Sequence, residues 1–450
     1  MSIMSWVAEE LSVYPLGDLR LERRLIRIME TVADQPAMRV PEVCGDWQSI
    51  PVTYRFFNPA VDEMPSLDRN KILNPHRDAT IERMRQFPLV LCLQDTTTLR
   101  FNGQKMRGLA PPPHESRQRI DLHPTYVVTP NRIPLGTLDA WMWPRAFKDS
   151  EGNRPGIKGS LRWEEGYERV AALAQQVPET RLVYVADREA GIVSLINQAE
   201  KQGCPADWLI RSRHDRTLKA GETLWASVKN EIPLGEIEFQ FHPHQTPPGR
   251  KVRQQVWTAE KKISNDKGGW LTVTCMIAME IEPSPGVQPL EWRLLTNRKV
   301  NNLAEASEIV EWYRCCRTIK EFFNVLKNGC RVQAPQSSDR LKLELALSVY
   351  MVVAWRLAHL LQMGRIQPDL PANVLLSDDE WKAAYILGNK KLPRKVPPLG
   401  GVIRRIAKLG CFSGRQRNGQ PGMKTLWKGY MHIRIHVESL KNLCELGISL

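Results

Sequence analysis

The chain has 450 residues, which is enough for two or three folded domains. Because 42% of the residues are hydrophobic and 25% are charged, the composition is not that of a disordered protein. Its 63 lysines and arginines outnumber its 49 aspartates and glutamates, and the net charge of +14 favours a polyanionic partner, nucleic acid before membrane. Nine cysteines without a Cys-x-x-Cys pair fit neither a disulfide framework nor a zinc site, and they predict a reducing cytosol.

The N-terminal region predicts helices. Residues 9–35 form an amphipathic pattern, and a second polar helical segment follows at about 45–58. Acidic residues near the start argue against a secretory signal, so no export is predicted. The basic side chains of the first helix suit either a solvated face or the DNA backbone, and both alternatives stay open. These side chains are Arg20, Arg23, Arg24 and Arg27.

Two apolar runs end in an aspartate. The run "FPLVLCLQD" ends at Asp95 and the run "RLVYVAD" ends at Asp187, and each predicts a buried central strand. Open α/β sheets place their ligands at the carboxyl ends of strands, and two carboxylates brought together there suit Mg²⁺ or Mn²⁺. A single aspartate after a strand is more often a helix cap or a turn residue.

The rest of the chain mixes strands and helices. The segment "TYVVTPNRIPLGTLDAWMW" predicts two strands around a turn, and "GRKVRQQVW" predicts a basic hairpin-like piece. Residues 196–299 are mainly β in pattern, and helices follow from about 303 to 363. The apolar stretch 345–363 contains Arg356 and His359, which favours a buried helix over a membrane span. Together these patterns predict an α/β fold.

A basic stretch lies near the C-terminus. Residues 388–408 carry seven lysines or arginines and no acid, with prolines at 393, 397 and 398. Contacts from this stretch and from the N-terminal helices to DNA phosphates would make the affinity for DNA fall steeply with salt.

Several motifs, in this order and spacing, resemble those of the bacterial cut-and-paste DDE transposases of the Tn5 and IS4 group. Three of them belong to the catalytic core: "LQDTT" at 93–97, "VADREA" at 185–190 and "Y…KEFFNVLKNGC" at 313–330. The others lie outside it: "LGDLR" at 16–20, "YRFFNP" at 54–59, "WRLLTN" at 292–297 and "LGCFSGRQRNGQPGMKTLWKGY" at 409–430. The resemblance therefore spans nearly the whole chain.

The resemblance implies an RNase H-like catalytic core, a mixed sheet flanked by helices, with an all-β insertion and helical N- and C-terminal regions. The implied boundaries are a DNA-end-binding region at 1–70, the core at 71–195 and 300–365, the insertion at 196–299 and a dimerisation region at 366–450. Two Mg²⁺ or Mn²⁺ ions held by Asp, Asp and Glu would serve phosphoryl transfer on DNA.

The resemblance also implies partners and contacts. The partners are double-stranded DNA, as terminal repeats and as target, and a second copy in a homodimer on DNA; no membrane is involved, and the location is the cytoplasm of a bacterium, at the nucleoid. Trp292 matches the tryptophan that stacks on a base flipped out of the element end, with a core tryptophan as the alternative. Arg211 and Arg213 match a basic turn near the DNA backbone, or are simply solvated.

The helix signature of the family departs at its centre. The signature Tyr, two residues, Arg, three residues, Glu, six residues, Lys, laid from Tyr313, falls on Cys316, Lys320 and Lys327. Tyr313 and Lys327 match, whereas Cys316 and Lys320 replace the arginine and the glutamate. Glu321, one position late, is the best remaining third carboxylate beside Asp95 and Asp187, and a small rotation or a π-bulge would bring it inward.

Two hypotheses follow. The chain is either an active transposase that uses Asp95, Asp187 and Glu321, or a catalytically impaired DNA-binding protein or regulator derived from one. Gly159, Gly191 and Gln333 stand where relatives carry acids, which favours impaired chemistry. Under the second hypothesis, the Lys320 ammonium forms ion pairs with Asp95, Asp187 or both and competes with magnesium for them.

Overall fold

The structure is a computed structural model. It describes residues 5–12, 19–34, 69–102, 117–144, 159–187, 192–212, 214–218, 221–241, 249–265, 268–330, 332, 340–414 and 420–447. The chain forms two compact units: the sheet unit, Met84–Asp95 with Gly156–Arg317, and the helical unit, Met1–Arg83 with Thr96–Pro155 and Thr318–Leu450. The helical segment predicted at 45–58, as well as Gly191, Arg213 and Gln333, lies outside the described residues.

The bounds of the elements are given in chain order. The helices are α1 (Trp6–Leu11), α2 (Leu19–Asp34), α3 (Arg69–Met84), α4 (Gly159–Ala174), α5 (Ile192–Lys201), α6 (Leu224–Lys229), α7 (Leu303–Arg314), α8 (Cys316–Asn324), a π-helix (Val325–Gly329), α9 (Arg340–Ile366), a 3-10 turn (Ala372–Val374), α10 (Asp378–Ile386), α11 (Leu399–Leu409) and α12 (Met423–Glu445). The strands are β1 (Leu89–Gln94), β2 (Thr97–Asn102), β3 (Arg117–Val128), β4 (Pro134–Pro144), β5 (Arg181–Ala186), β6 (Asp207–Arg211), β7 (Gly235–Phe241), β8 (Arg250–Ser264), β9 (Trp270–Glu280) and β10 (Glu291–Thr296).

The sheet unit is a mixed sheet in the order β1-β5-β6-β10-β9-β8-β7. Strands β1, β5 and β6 are parallel, and helix α5 connects β5 to β6. Both β1 and β5 are apolar runs buried along almost their whole length, as their sequences predict. The remaining strands pair antiparallel and lie within the predicted insertion.

The basic piece at 249–257 is not a hairpin. From Arg250 onward it belongs to the single long strand β8, which pairs with β7 on one side and with β9 on the other. The prediction was wrong because the alternation of polar and apolar residues continues without a turn, with Val252, Gln254 and Val256 buried on one face.

The helical unit packs helices against the antiparallel strands β2, β3 and β4. Helix α9 lies on β4 and also contacts α2, α11 and α12. Its span Leu343–Ile366 is long and apolar enough to cross a membrane, yet 89% of its most apolar window is buried inside the protein. The apolar surface of α9 is therefore covered by protein, as expected for a buried core helix.

A buried polar cluster joins α1 and α3 to β4 and α9. Glu10 accepts hydrogen bonds from the Arg83 guanidinium at 2.8 and 2.9 Å, and its Oε1 lies 2.5 Å from His76 Nδ1. The Arg83 guanidinium lies 4.2 Å from the ring centroid of Trp355, whose Nε1 donates to the Pro134 carbonyl. Segments that are far apart in sequence are thus fixed to one another by satisfied polar groups.

Candidate active site

Asp95 and Asp187 lie side by side at one edge of the sheet unit. Gln94 and Ala186, the last residues of β1 and β5, are partners in the parallel register, and the two half-buried aspartates follow them directly. The Gln94 side chain lies against Gly166 of α4, and its Oε1 accepts a hydrogen bond from the Tyr184 hydroxyl of β5 at 2.9 Å. Because side chains alternate along a strand, the aspartates belong to the opposite face of the sheet. The predicted strand-end pair of carboxylates is therefore present.

A short relay of hydrogen bonds reaches Asp187 from that face. Arg211 Nη1 donates to the Tyr313 hydroxyl at 3.1 Å, and this hydroxyl donates to Asp187 Oδ1 at 3.4 Å. Arg211 Nη2 donates to the Glu291 carbonyl at 3.2 Å, which fixes the guanidinium. Burial raises the pKa of Tyr313 above its usual value, with Cys316 and Asp187 acting in the same direction, so the hydroxyl keeps its proton.

Trp292 is packed inside a stack of side chains. It is 6% exposed, its ring lies nearly parallel to that of Phe239 at 5.5 Å, and Tyr313 meets it edge-on at 5.7 Å. The Arg314 guanidinium lies 3.9 Å from the centroid of Phe239. Stacking of a flipped base on Trp292 stays a prediction, and it requires Phe239 to leave the face it now covers.

The helix that follows Tyr313 is not a regular α-helix. Helix α7 ends at Arg314, the Cys315 N–H donates to both the Glu311 and the Trp312 carbonyl, and α8 then begins at Cys316. The π-helix follows one turn after Glu321 and includes Lys327. A π-bulge that moves Glu321 relative to Tyr313 is therefore not observed; the irregularity between these two residues is the break at Cys315.

Lys320 and Glu321 lie past the point where the chain enters the helical unit. Lys320 is exposed and Glu321 is half-buried. Burial raises the pKa of Tyr126 well above its usual value, and the Glu321 carboxylate acts in the same direction as a smaller cause. Glu321 therefore lies within electrostatic range of Tyr126 on β3. The predicted apolar stripe of α8 and the π-helix is buried as expected: Ile319, Phe322, Phe323 and Leu326.

The carboxylates offer hard oxygen ligands of the kind that magnesium prefers. Asp95 and Asp187, on adjacent parallel strands, fit a shared divalent ion by their chemistry and placement. Within the ranges that the structure describes, no group of three or more histidine, cysteine, aspartate or glutamate side chains is placed to hold a metal ion. A third ligand from Glu321 and the two-ion arrangement stay predictions.

The predicted DNA-contacting arginines fall into two environments. On α2 the arginine face is solvent-facing, with Arg24 half-buried, while the opposite face packs inside the helical unit. The exposed members are Arg20, Arg23 and Arg27. Arg211, in contrast, donates hydrogen bonds to the Tyr313 hydroxyl and the Glu291 carbonyl. In the structure β6 ends at Arg211 and pairs in parallel with β5, which Asp187 follows directly. The sequence signal for this contact is the position of both residues at the ends of apolar runs.

Both ends of the chain match known protein families. Residues 3–61 match the family model described as "Transposase DNA-binding", and residues 352–445 match the model described as "Transposase Tn5 dimerisation domain". Among solved structures, a chain of the piggyBac transposase synaptic complex with hairpin DNA, solved by cryo-EM, is similar at 11% identity and a TM-score of 0.36. That alignment covers 98% of this chain and 80% of the other.

Proposed function

We propose that this chain, a transposase of the Tn5/IS4 type as its matches at both ends establish, is the transposase of an insertion sequence. It binds the terminal inverted repeats of its element through the N-terminal region, dimerises on DNA through the C-terminal region, and cleaves and transfers DNA ends. The observation that carries the chemical part is the pair of carboxylates, Asp95 and Asp187, at neighbouring parallel strand ends.

The parallel order β1-β5-β6 with a helix between β5 and β6 supports an RNase H-like core, since such a sheet presents its strand ends as a site. Asp95 and Asp187 would hold one or two magnesium or manganese ions, with Glu321 as the proposed third carboxylate. A bound divalent ion supplies activation of the attacking oxygen and stabilisation of the leaving oxygen in phosphoryl transfer. Tyr313 and Arg211 orient the Asp187 carboxylate and offset part of its charge.

A second function is favoured by Lys320. The chain would bind element ends as a regulator without cutting them, because an exposed lysine takes the position where the family signature has glutamate. An ammonium near the aspartates replaces the charge that a metal ion would bring and weakens metal binding. The DNA-binding and dimerisation regions serve both functions equally.

Incubation of the purified chain with the ends of its element and MgCl₂ separates the two functions. Nicks, hairpins or strand-transfer products that Asp95→Asn and Asp187→Asn abolish, with end binding retained, support the transposase. Specific end binding without any product supports the regulator. A chain that binds these ends no better than unrelated DNA contradicts both. We place the protein in the bacterial cytoplasm at the nucleoid, as a homodimer on DNA with no membrane partner.

A further inference from the structure

The C-terminal region contains a long segment without negative charge. Every charged residue between Glu380 and Glu438 is a lysine or an arginine. We propose that part of this segment is a second DNA-binding surface, which grips the phosphate backbone of double-stranded DNA without regard to its sequence. We call this surface the basic platform. It consists of Lys390, Lys391, Arg394, Lys395, Arg404, Arg405 and Lys408.

The platform is formed by a loop and one face of a helix. The four basic residues at 390–395 lie exposed in the loop between α10 and α11. On α11, Arg404 and Lys408 are exposed one turn apart, while Val402 and Ile406 are buried. The Arg405 guanidinium lies 4.2 Å from the ring centroid of Tyr385, whose carbonyl accepts the Lys390 backbone N–H at 2.9 Å. Loop and helix therefore meet at Tyr385 and present their charges together.

The loop is held at both ends by backbone hydrogen bonds. At its start, Asn389 has a φ of 51° and its N–H donates to the Ile386 carbonyl, as in a helix C-cap. At its end, the Pro397 carbonyl accepts the Ala372 N–H at 2.9 Å, and the Leu399 N–H donates to the Leu370 carbonyl at 2.7 Å. A loop fixed in this way loses little conformational entropy when it binds a ligand.

The charges of the platform are not neutralised by the described part of the chain. None of its seven side chains has an ion pair with a described carboxylate. On β8, in contrast, Lys251, Arg253 and Lys261 each pair with a glutamate at 2.6 to 2.8 Å. Like charges gathered without counter-charges repel, so the platform fits an external polyanion.

DNA suits this surface better than a membrane or an acidic protein. A helix that binds a membrane surface inserts an apolar face, but the apolar face of α11 is already buried in the protein. A protein partner requires shaped, desolvated contacts, whereas the phosphate backbone needs only accessible cations. The proposal rests on the proposed function in one respect, that the chain acts on DNA, and it adds a contact surface within the region that matches a dimerisation domain.

The test uses the full chain and a duplex of unrelated sequence, with affinity measured by fluorescence anisotropy over a range of NaCl concentrations. The platform variant carries K390Q, K391Q, R394Q and K395Q. The control variant carries K251Q, R253Q, K261Q and K262Q on β8 and removes the same charge. The slope of log K against log salt changes by about 0.9 for each phosphate that the protein no longer neutralises, so the platform variant shows a shallower slope by roughly 2 to 4 and the control does not.

A crosslinking experiment and a comparison with element ends distinguish DNA binding by the platform from the proposed transposase function. Leu392, 43% exposed within the loop, is replaced by a photoreactive benzoylphenylalanine, which we expect to crosslink to the duplex. Equal slopes for both variants, or a platform variant that loses self-association but not DNA affinity, would overturn the proposal. If the chain fails to recognise its element ends yet shows platform-dependent affinity for unrelated duplex, the proposed function falls and the platform stands.

Discussion

Replacement of Glu10 by glutamine removes the charge at the centre of the buried cluster that joins α1 to α3. Glu10 is 6% exposed and contacts both His76 and Arg83. The Thr137 backbone N–H donates to His76 Nε2 at 3.0 Å, and His76 Nδ1 faces the Glu10 carboxylate. Glutamine keeps the size of the side chain but leaves the Arg83 charge without its partner.

The magnitude follows from the pKa of Glu10. Burial alone would raise this pKa, but His76 and Arg83 outweigh burial and lower it from 4.5 to about 2. At 1.36 kcal/mol for each pKa unit, the ionised carboxylate stabilises the fold by about 3 kcal/mol. Loss of one partner from a buried ion pair costs about 3–5 kcal/mol in other proteins, which agrees. Because the pKa is lowered, this stability is present above pH 4.5 and is lost as the pH falls toward 2.

Hydrogen exchange followed by mass spectrometry reads out the effect in the peptide that covers α3. At pH 7 we expect Glu10→Gln to raise exchange there by about 10²-fold, since 1.4 kcal/mol corresponds to a factor of ten. The matched control is Glu9→Gln, because Glu9 is the exposed neighbour. An unchanged rate in Glu10→Gln, or an equal rise in Glu9→Gln, would show that the Glu10 charge does not hold α3 in place.

Four further predictions address the core and the site. Burial lowers the pKa of His359 to about 4, so the free energy of unfolding should fall by about 3 kcal/mol as the pH drops from 6.5 to 4. Urea titrations should show a smaller fall over the same pH range in His359→Gln. Trp292→Ala should cost about 3–5 kcal/mol in thermal unfolding; unchanged stability with lost end binding would instead favour the base-stacking role. Tyr313→Phe breaks the relay and should slow end cleavage about tenfold while end binding is unchanged, whereas equal loss of both would count against an orienting role. Lys320→Glu with Cys316→Arg should restore magnesium-dependent nicking of element ends, and Asn324→Glu, exposed on the same helix, should not.

Local sequence patterns determined the strands and helices that carry the site. The apolar runs that end at Asp95 and Asp187 form the buried parallel strands β1 and β5. The apolar stripe on α8 is buried, and α9 is a core helix. Such features depend on residues within a few positions of one another, because the side-chain periods of 2 and 3.6 are local properties of the backbone. The motifs at the two ends of the chain also pointed to the family that the comparisons confirm.

Which side chains contact one another across the chain depends on how the elements pack. Arg211 and Tyr313 are 102 positions apart, and Glu10 and Arg83 are 73 positions apart, yet each pair forms a hydrogen bond. The stack of Phe239 on Trp292 likewise joins β7 and β10, which are not neighbours in the sheet. The break at Cys315 interrupts the helix along which the signature was counted. These contacts form where separate elements pack against one another. Packing depends on the shapes of side chains that are far apart in sequence, so a local periodicity cannot predict it.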